Sequence, residues 1–263
     1  MIDIHTHILP GIDDGPQTWE DTIGLVRQGY NDGIRGFVAT SHILDNLDTT
    51  TESLFTDLFT QLKQRLSDEN LPMSVWLGAE LHCQADFGAA SPLTSFSGAG
   101  VYSLVELPLG AIPAHTGDLL FSLSLQGITP IIAHPERNRE IQLQPRRAWE
   151  FARRGILFQI NGGSITGQFG RRTEKTARLM LDNDLVTFVA SDCHHAVSRP
   201  MILSSAYRVV ERRYGNERAD RLFRTNPVKA VRGEKILQPD PGPYSQKSNL
   251  FSRLVRRSKR QAL

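Results

Sequence analysis

The chain has 263 residues, a net charge of +2 and 40% hydrophobic residues, an ordinary balance for a folded domain that builds its own core. No apolar run approaches the ~20 residues of a bilayer span, no basic and apolar leader opens the chain, and Cys83 and Cys193 are too few for a disulfide framework. These features argue against a membrane-spanning protein or a disulfide-stapled scaffold, and the expected compartment is the reducing cytoplasm.

In chain order, short apolar runs rich in Val, Ile and Phe alternate with longer amphipathic stretches. A short first strand is expected at residues 1–4, followed by strands at 34–40, 73–79, 100–107, 129–133, 156–160 and 185–190. These runs do not alternate with polar residues, so they read as strands buried on both faces, as in a parallel sheet. Between them the spacing predicts helices over 18–32, 51–68, 115–126, 145–154, 173–184 and 200–214. The second carries Leu54, Leu58, Leu62 and Leu66 at four-residue intervals. Gly33, Gly127 and Gly155 fall where helix C-terminal caps belong. Repeated strand and helix units give an α/β fold, and about seven of them favour a barrel over an open sheet. One domain is expected over 1–237. Residues 238–246 contain three prolines and read as a linker into a tail. From residue 241 to 263 there is no acid, only Lys247, Arg253, Arg256, Arg257, Lys259 and Arg260. The remainder is net negative, so nucleic-acid binding by the domain is not expected. The tail reads as a solvated segment with at most a weak membrane contact.

The eight histidines carry most of the chemical information. His5, His7, His42, His134 and His194 lie at or just after strand C-terminal ends, which open on one face in a parallel α/β fold. Glu80, Glu106 and Asp192 occupy equivalent positions, and Asp13 and Asp14 sit in the loop after the first strand. In an extended segment, His5 and His7 point the same way and are able to grip one ion. Singly, each such residue reads as a hydrogen-bonded structural group or a cap. Their convergence on one rim reads as a metal site. Mixed imidazole and carboxylate donors suit Zn, Mn or Fe, and the ligand count exceeds the need of one ion. Multi-metal sites serve phosphoester cleavage.

These residues fall in segments that resemble the PHP (polymerase and histidinol phosphatase) superfamily, and within it the bacterial tyrosine-protein phosphatases of capsule and exopolysaccharide operons. The segments are MIDIHTH at 1–7 with DDGP at 13–16, ATSH ending at His42, GAE ending at Glu80, LVELP at 104–108, IAHPER ending at Arg137, QIN ending at Asn161 and ASDCH ending at His194. They span about residues 1–231. The resemblance implies a distorted seven-stranded (β/α) barrel with three divalent ions, Mn first, with Fe, Zn, Co or Mg as alternatives. It implies one ion on His5, His7, Glu80 and Asp192, and a second on Glu80, Glu106 and His134. The third would be held by Asp14, His42 and His194. Arg137 and Arg199 match arginines beside the site. The implied reaction is attack on phosphotyrosine by a metal-bound hydroxide. The implied substrate is a phosphotyrosine protein, an autophosphorylating tyrosine kinase of polysaccharide assembly.

Other readings share the sequence. Cys193 and Arg199 fit the Cys-x5-Arg spacing of cysteine-dependent phosphatases, although the segment has no glycine to wrap its backbone round a phosphate. A PHP phosphoesterase acting on histidinol phosphate or nucleic acid would use the same metals. A binding module would use them only to hold the barrel. His82, His115 and His195 match no ligand position, with His195 a candidate general acid. Phe87, Phe96 and Tyr102 read as core.

Overall fold

The computed structural model describes residues 1–45, 47–83, 91–237, 242 and 244. Its strands are β1 (Ile2–Thr6), β2 (Gly36–Ala39), β3 (His42–Ile43), β4 (Ser74–Leu77), β5 (Glu80–His82), β6 (Tyr102–Glu106), β7 (Thr129–Ala133), β8 (Leu157–Asn161) and β9 (Phe188–Ala190). Every pairing is parallel. One sheet runs β1-β2-β4 and the other β3-β5-β6-β7-β8-β9.

The two sheets come from seven runs of extended chain. The runs expected at 34–40 and 73–79 each break once. The first becomes β2 and β3 on either side of Thr40 and Ser41. The second becomes β4 and then β5, which extends past the expected end. Hydrogen bonds carry the ladder across the break, from Gly78 N to Ala39 O at 3.0 Å and from Glu80 N to Thr40 O at 3.2 Å. At the other seam, Asp192 N donates to His5 O at 2.9 Å and His7 N to Cys193 O at 3.0 Å. The ring therefore closes on itself as an α/β barrel, and no pairing edge is left between β9 and β1.

Two apolar layers hold the barrel. Ile4, Val38, Leu104, Ile131, Leu157 and Phe188 pack in its interior, over Ala230, Val231 and Ile236. A larger layer joins the outward strand faces, including Phe37, Val105, Ile132 and Phe158, to the helices. Burial on both faces explains the near-continuous apolar runs. The helices run at Trp19–Asn31, Thr49–Asp68, Thr116–Leu125, Arg146–Ala152, Arg171–Asp182 and Ser204–Tyr214. Gly33, Gly127 and Gly155 follow their helices with φ of 93°, 82° and 83°, the left-handed capping geometry. Along Thr49–Asp68 the buried face is Phe55, Leu62 and Leu66, while Leu54 is 47% exposed. The expected leucine stripe is thus displaced by one residue at its first turn. Three short segments, Asn216–Asp220, Arg221–Thr225 and Asn226–Val231, were not foreseen. Each is short, and together they bury Ala219, Leu222, Phe223, Ala230 and Val231. Among the described residues no helix is long and apolar enough to cross a membrane. Phe96 and Tyr102 are core, as expected; Phe87 and most of the basic tail lie outside the described residues.

Candidate metal centre

The strand C-terminal ends gather all nine expected ligands at one mouth of the barrel. β1 supplies His5 and leads directly into His7, and its backbone is irregular there. Asp3 pairs with Phe37 and Thr6 with Ala39, so β1 spends one residue more than β2. The bulge lets Ile4 enter the interior layer while the next residue, His5, also reaches the mouth. His134 and Asp192 follow β7 and β9 with φ of 30° and 55°, a left-handed backbone that non-glycine residues adopt at a cost of about 1–3 kcal/mol. Both side chains are turned inward at that cost.

Four overlapping groups result. They are His5, His7 and Glu80; His5, His134 and Asp192; His42, Glu80 and Glu106; and His7, Asp14, His42 and His194. Glu80 is central. Its Oε2 lies 3.1 Å from His5 Nε2, His7 Nε2 and His42 Nδ1, and its Oε1 lies 3.1 Å from His134 Nε2. Asp192 Oδ1 is 3.4 Å from His5 Nε2 and 3.6 Å from His7 Nε2. Asp14 Oδ1 faces His194 Nε2 at 3.1 Å and His42 Nε2 at 3.6 Å, and Glu106 Oε1 lies 3.6 Å from His134 Nε2. Donors about 2.1 Å from one tetrahedral ion stand about 3.4 Å apart, so these separations fit atoms able to share a cation. Only the contact between His134 Nε2 and Glu80 Oε1 is a hydrogen bond. His42 Nδ1, Glu80 Oε2, Asp192 Oδ1 and His194 Nε2 are buried without a hydrogen-bond partner among the described residues, a costly state in a low-dielectric interior unless a cation is held there.

The far sides of the same groups are well partnered. His5 Nδ1 meets Gln159 Oε1 at 2.8 Å and His7 Nδ1 meets Asp13 Oδ2 at 2.8 Å. Such partners fix the tautomer and aim the other nitrogen inward. Asp13 also accepts from Gly15 N at 2.9 Å and His42 N at 3.0 Å. Its neighbour Gly15 packs so close that a Cβ there would stand 2.8 Å from His7 O. Gln159 donates to Asn161 Oδ1 at 2.9 Å, and Asn161 Nδ2 to Asp192 Oδ2 at 2.6 Å. Arg137 Nη1 and Arg199 Nη2 reach the same Oδ2 at 3.0 and 2.5 Å. Asp13 reads from sequence only as a loop carboxylate, and Gln159 and Asn161 only as part of a matching segment; their orienting roles emerge from the structure. Gln159 and Asn161 alternate on β8 toward the mouth, a signal that pattern alone contained.

The electrostatics match an ion-binding cluster. Burial opposes charge on His7, but its bond to Asp13 and the adjacent Glu80 carboxylate outweigh that and push the ring up to about 10. Burial and the Glu80 charge push Glu106 up to about 7. Burial and the nearby His7 push His194 down to about 3. Asp192 is held well below the carboxylate range despite burial, by His5 and Arg199. Asp14 is 62% exposed and His42 and Glu106 are 17% exposed, whereas His5, His7 and Glu80 are fully buried. The cluster is therefore open on the Asp14 side.

The remaining expectations resolve simply. Cys193 is fully buried and burial pushes its thiol up, so the Cys-x5-Arg reading lacks an accessible thiolate. His115 stands at the N-cap position of Thr116–Leu125 without a side-chain cap bond, and its Nε2 lies 3.3 Å from Cys83 O. His82 is half-buried and His195 exposed. In the acidic loop after His42, Asp48 accepts from Thr51 N at 2.8 Å and caps the helix Thr49–Asp68.

A parallel barrel with clustered histidines and carboxylates at the strand C-terminal mouth defines the class: a (β/α) barrel protein with a buried cluster of residues able to hold metal ions. Residues 1–232 match the family model described as capsular polysaccharide synthesis, CpsB/CapC, and the chain belongs to that family. It is 32% identical over 250 residues to the tyrosine-protein phosphatase YwqE of Bacillus subtilis (strain 168), covering 94% of this chain and 98% of YwqE. It is 32% identical to the tyrosine-protein phosphatase CpsB of Streptococcus agalactiae serotype III, covering 90% of this chain and all of CpsB. A solved structure from the work on YwqE of B. subtilis and CpsB of Streptococcus pneumoniae, described as unique metal-dependent tyrosine phosphatases, superposes with a TM-score of 0.83 at 31% identity, over 94% of this chain and 100% of that one. A TatD-like protein from Archaeoglobus fulgidus shares the fold, with a TM-score of 0.50 at 14% identity over 88% of this chain and 100% of that one.

Proposed function

We propose that the nine clustered side chains hold three divalent ions and that the protein uses them to hydrolyse phosphotyrosine in a protein substrate. The chain is a metal-dependent tyrosine-protein phosphatase of the CpsB/YwqE type. The observation that carries the ion assignment is Glu80, whose two oxygens each stand 3.1 Å from imidazole nitrogens, Oε2 from three and Oε1 from a fourth. A carboxylate so placed would serve more than one ion. His5, His7 and Asp192 would share one ion with Glu80. His134 and Glu106 would share a second with it. Asp14, His42 and His194 would hold the third. Manganese is the first choice for this mixed oxygen and nitrogen set, with iron, zinc, cobalt and magnesium as alternatives.

Hydrolysis breaks the bond between phosphorus and the phenolic oxygen, adds water across it, and releases tyrosine and inorganic phosphate. When bound, divalent ions neutralise phosphoryl charge and acidify a water enough to supply hydroxide near neutral pH. The chain's own residues do the rest. Asp13 and Gln159 hold the His7 and His5 rings in register. Arg137 and Arg199 are 19% and 21% exposed beside Asp192, and their planar forks suit phosphoryl oxygens. The domain is taken as 1–237, with 238–263 as linker and basic tail. The family's description as capsular polysaccharide synthesis supports a substrate among the autophosphorylating tyrosine kinases of that assembly. A panel of phosphotyrosine peptide, phosphoserine peptide and histidinol phosphate tests the substrate class. Phosphotyrosine is expected to give the highest kcat/KM, and preference for histidinol phosphate would refute the protein-substrate reading.

A further inference from the structure

A cavity of about 170 Å³ adjoins the metal cluster, lined by Thr166, Phe169, Arg199, Pro200, Ile202 and Ser205 among others. It lies between the segment after β8 and the segment after β9, and it shares one side chain with the cluster: Arg199. At about 30 Å³ for each water, it is far larger than a single solvent site. Its wall is mixed. Phe169, Pro200 and Ile202 are apolar, Thr166 and Ser205 bring hydroxyls, and Arg199 brings positive charge. Phe169 also carries the Arg137 guanidinium, 4.7 Å above its ring centre, so both arginines of the site border one rim.

Arg199 is incompletely used. Nη2 holds Asp192 Oδ2 at 2.5 Å and Nη1 is 3.8 Å from Asp14 Oδ2. Nε is buried with no hydrogen-bond partner among the described residues. Arg199 lines the cavity and its one close ion pair uses Nη2 alone, so the guanidinium brings positive charge to this space. The fitting occupant is a small group that accepts hydrogen bonds, carries negative charge and brings a short apolar stem to lie on Ile202 and Phe169. A carboxylate side chain has those properties. A Lys or Arg side chain would face Arg199.

We propose that this cavity is a specificity subsite, which takes the carboxylate side chain of an Asp or Glu close in sequence to the substrate's phosphotyrosine. The inference rests on the phosphotyrosine reading above. Arg199 would then stand among Asp192, the phosphoryl group and the substrate carboxylate.

The test uses the metal-loaded full chain and phosphotyrosine peptides that carry Glu, Gln or Lys singly at each of the two positions before and after the phosphotyrosine. At one position Glu is expected to exceed Gln by about tenfold in kcat/KM, mostly through KM. The preference should survive 0.5 M salt, because a seated pair is screened less than diffuse attraction. Ser205→Leu and Thr166→Leu, each of which fills the cavity, are expected to bring the Glu to Gln ratio within twofold. The ratio is taken within each variant, so a general loss of activity cancels. Thermal melts identify a variant that fails to fold, and the other then decides. Equal rates for Glu, Gln and Lys at every position would overturn the subsite. So would a preference spread over all positions and abolished by salt, or one that both filled variants retain. Free phosphotyrosine is run alongside. If it and all peptides are inert, the phosphatase reading itself fails, which is a distinct result.

Discussion

Asp13 holds His7 by a 2.8 Å bond to Nδ1, while the next residue, Asp14, stands 3.1 Å from His194 Nε2 on the inner side of the cluster. Two adjacent carboxylates thus do different work: one aims a ligand, the other is placed to be one. Removing an outer partner of a metal-binding histidine lowers metal affinity by about 10- to 100-fold. Asp13→Ala is therefore expected to lose bound metal and kcat/KM in parallel at low metal concentration, and to recover much of the activity when the ion is in excess. Metal content by mass spectrometry, with activity against metal concentration, checks it. Full occupancy and full rate in the variant would show that Asp13 does not orient His7.

Protons and ions compete for the same atoms. In the metal-free protein His7 is pushed up to about 10 and Glu106 up to about 7. His7 lies above the ordinary imidazole value, so its contribution to metal-free stability is full below about pH 6.5 and fades as pH rises toward 10. Glu106 also lies above its ordinary value; its ionisation penalises the metal-free fold from about pH 5 upward, increasingly through 7. Bound cations relieve both effects. The gap in Tm between metal-loaded and stripped protein should therefore widen from pH 6 to pH 8, with protons released on binding. Calorimetry at the two pH values, in buffers of different ionisation heat, measures both. A gap that narrows would contradict the sign.

Much of this was legible in the sequence for a physical reason. Strand ends in a parallel barrel face one way, so His42, Glu80, Glu106, His134 and Asp192 could be placed on one rim by locating apolar runs alone. What pattern could not show was backbone irregularity. The β1 bulge that brings Ile4 and His5 to the same side leaves no mark on composition. The sheet change at Thr40–Ser41 falls inside a run that reads as one strand. Asp32 was likewise invisible: as the C-cap of Trp19–Asn31 it looks like a helix end, yet it acts across 171 positions of sequence.

Asp32 accepts from Leu203 N at 2.7 Å, Ser204 N at 2.8 Å and Ser204 Oγ at 2.5 Å, and so caps the helix Ser204–Tyr214 from another element. Gln28, one turn earlier, bonds Ala196 O at 3.1 Å and Met201 N at 3.1 Å. Together they pin the segment that carries His194 and Arg199. Asp32→Ala is expected to cost about 1–2 kcal/mol of stability and to lower kcat/KM severalfold, with Asp32→Asn recovering part of both. Denaturant unfolding and steady-state kinetics check this. A stability loss with unchanged kinetics would confine Asp32 to a purely structural role.

Cys193 is fully buried and its thiol is pushed up. Cys193→Ala should therefore keep kcat, at a cost of about 1 kcal/mol in stability for the small cavity left behind. Loss of turnover in a folded variant would revive the cysteine nucleophile.

The most direct test of the central claim is hydrolysis of a phosphotyrosine peptide by chelator-stripped protein, before and after return of manganese, with Glu80→Gln alongside. Activity should vanish on stripping and return with the ion in the wild type, while the variant stays at least 100-fold lower, roughly the cost of losing a buried bridging charge. Turnover that persists in metal-free protein, or that Glu80→Gln retains, would contradict it.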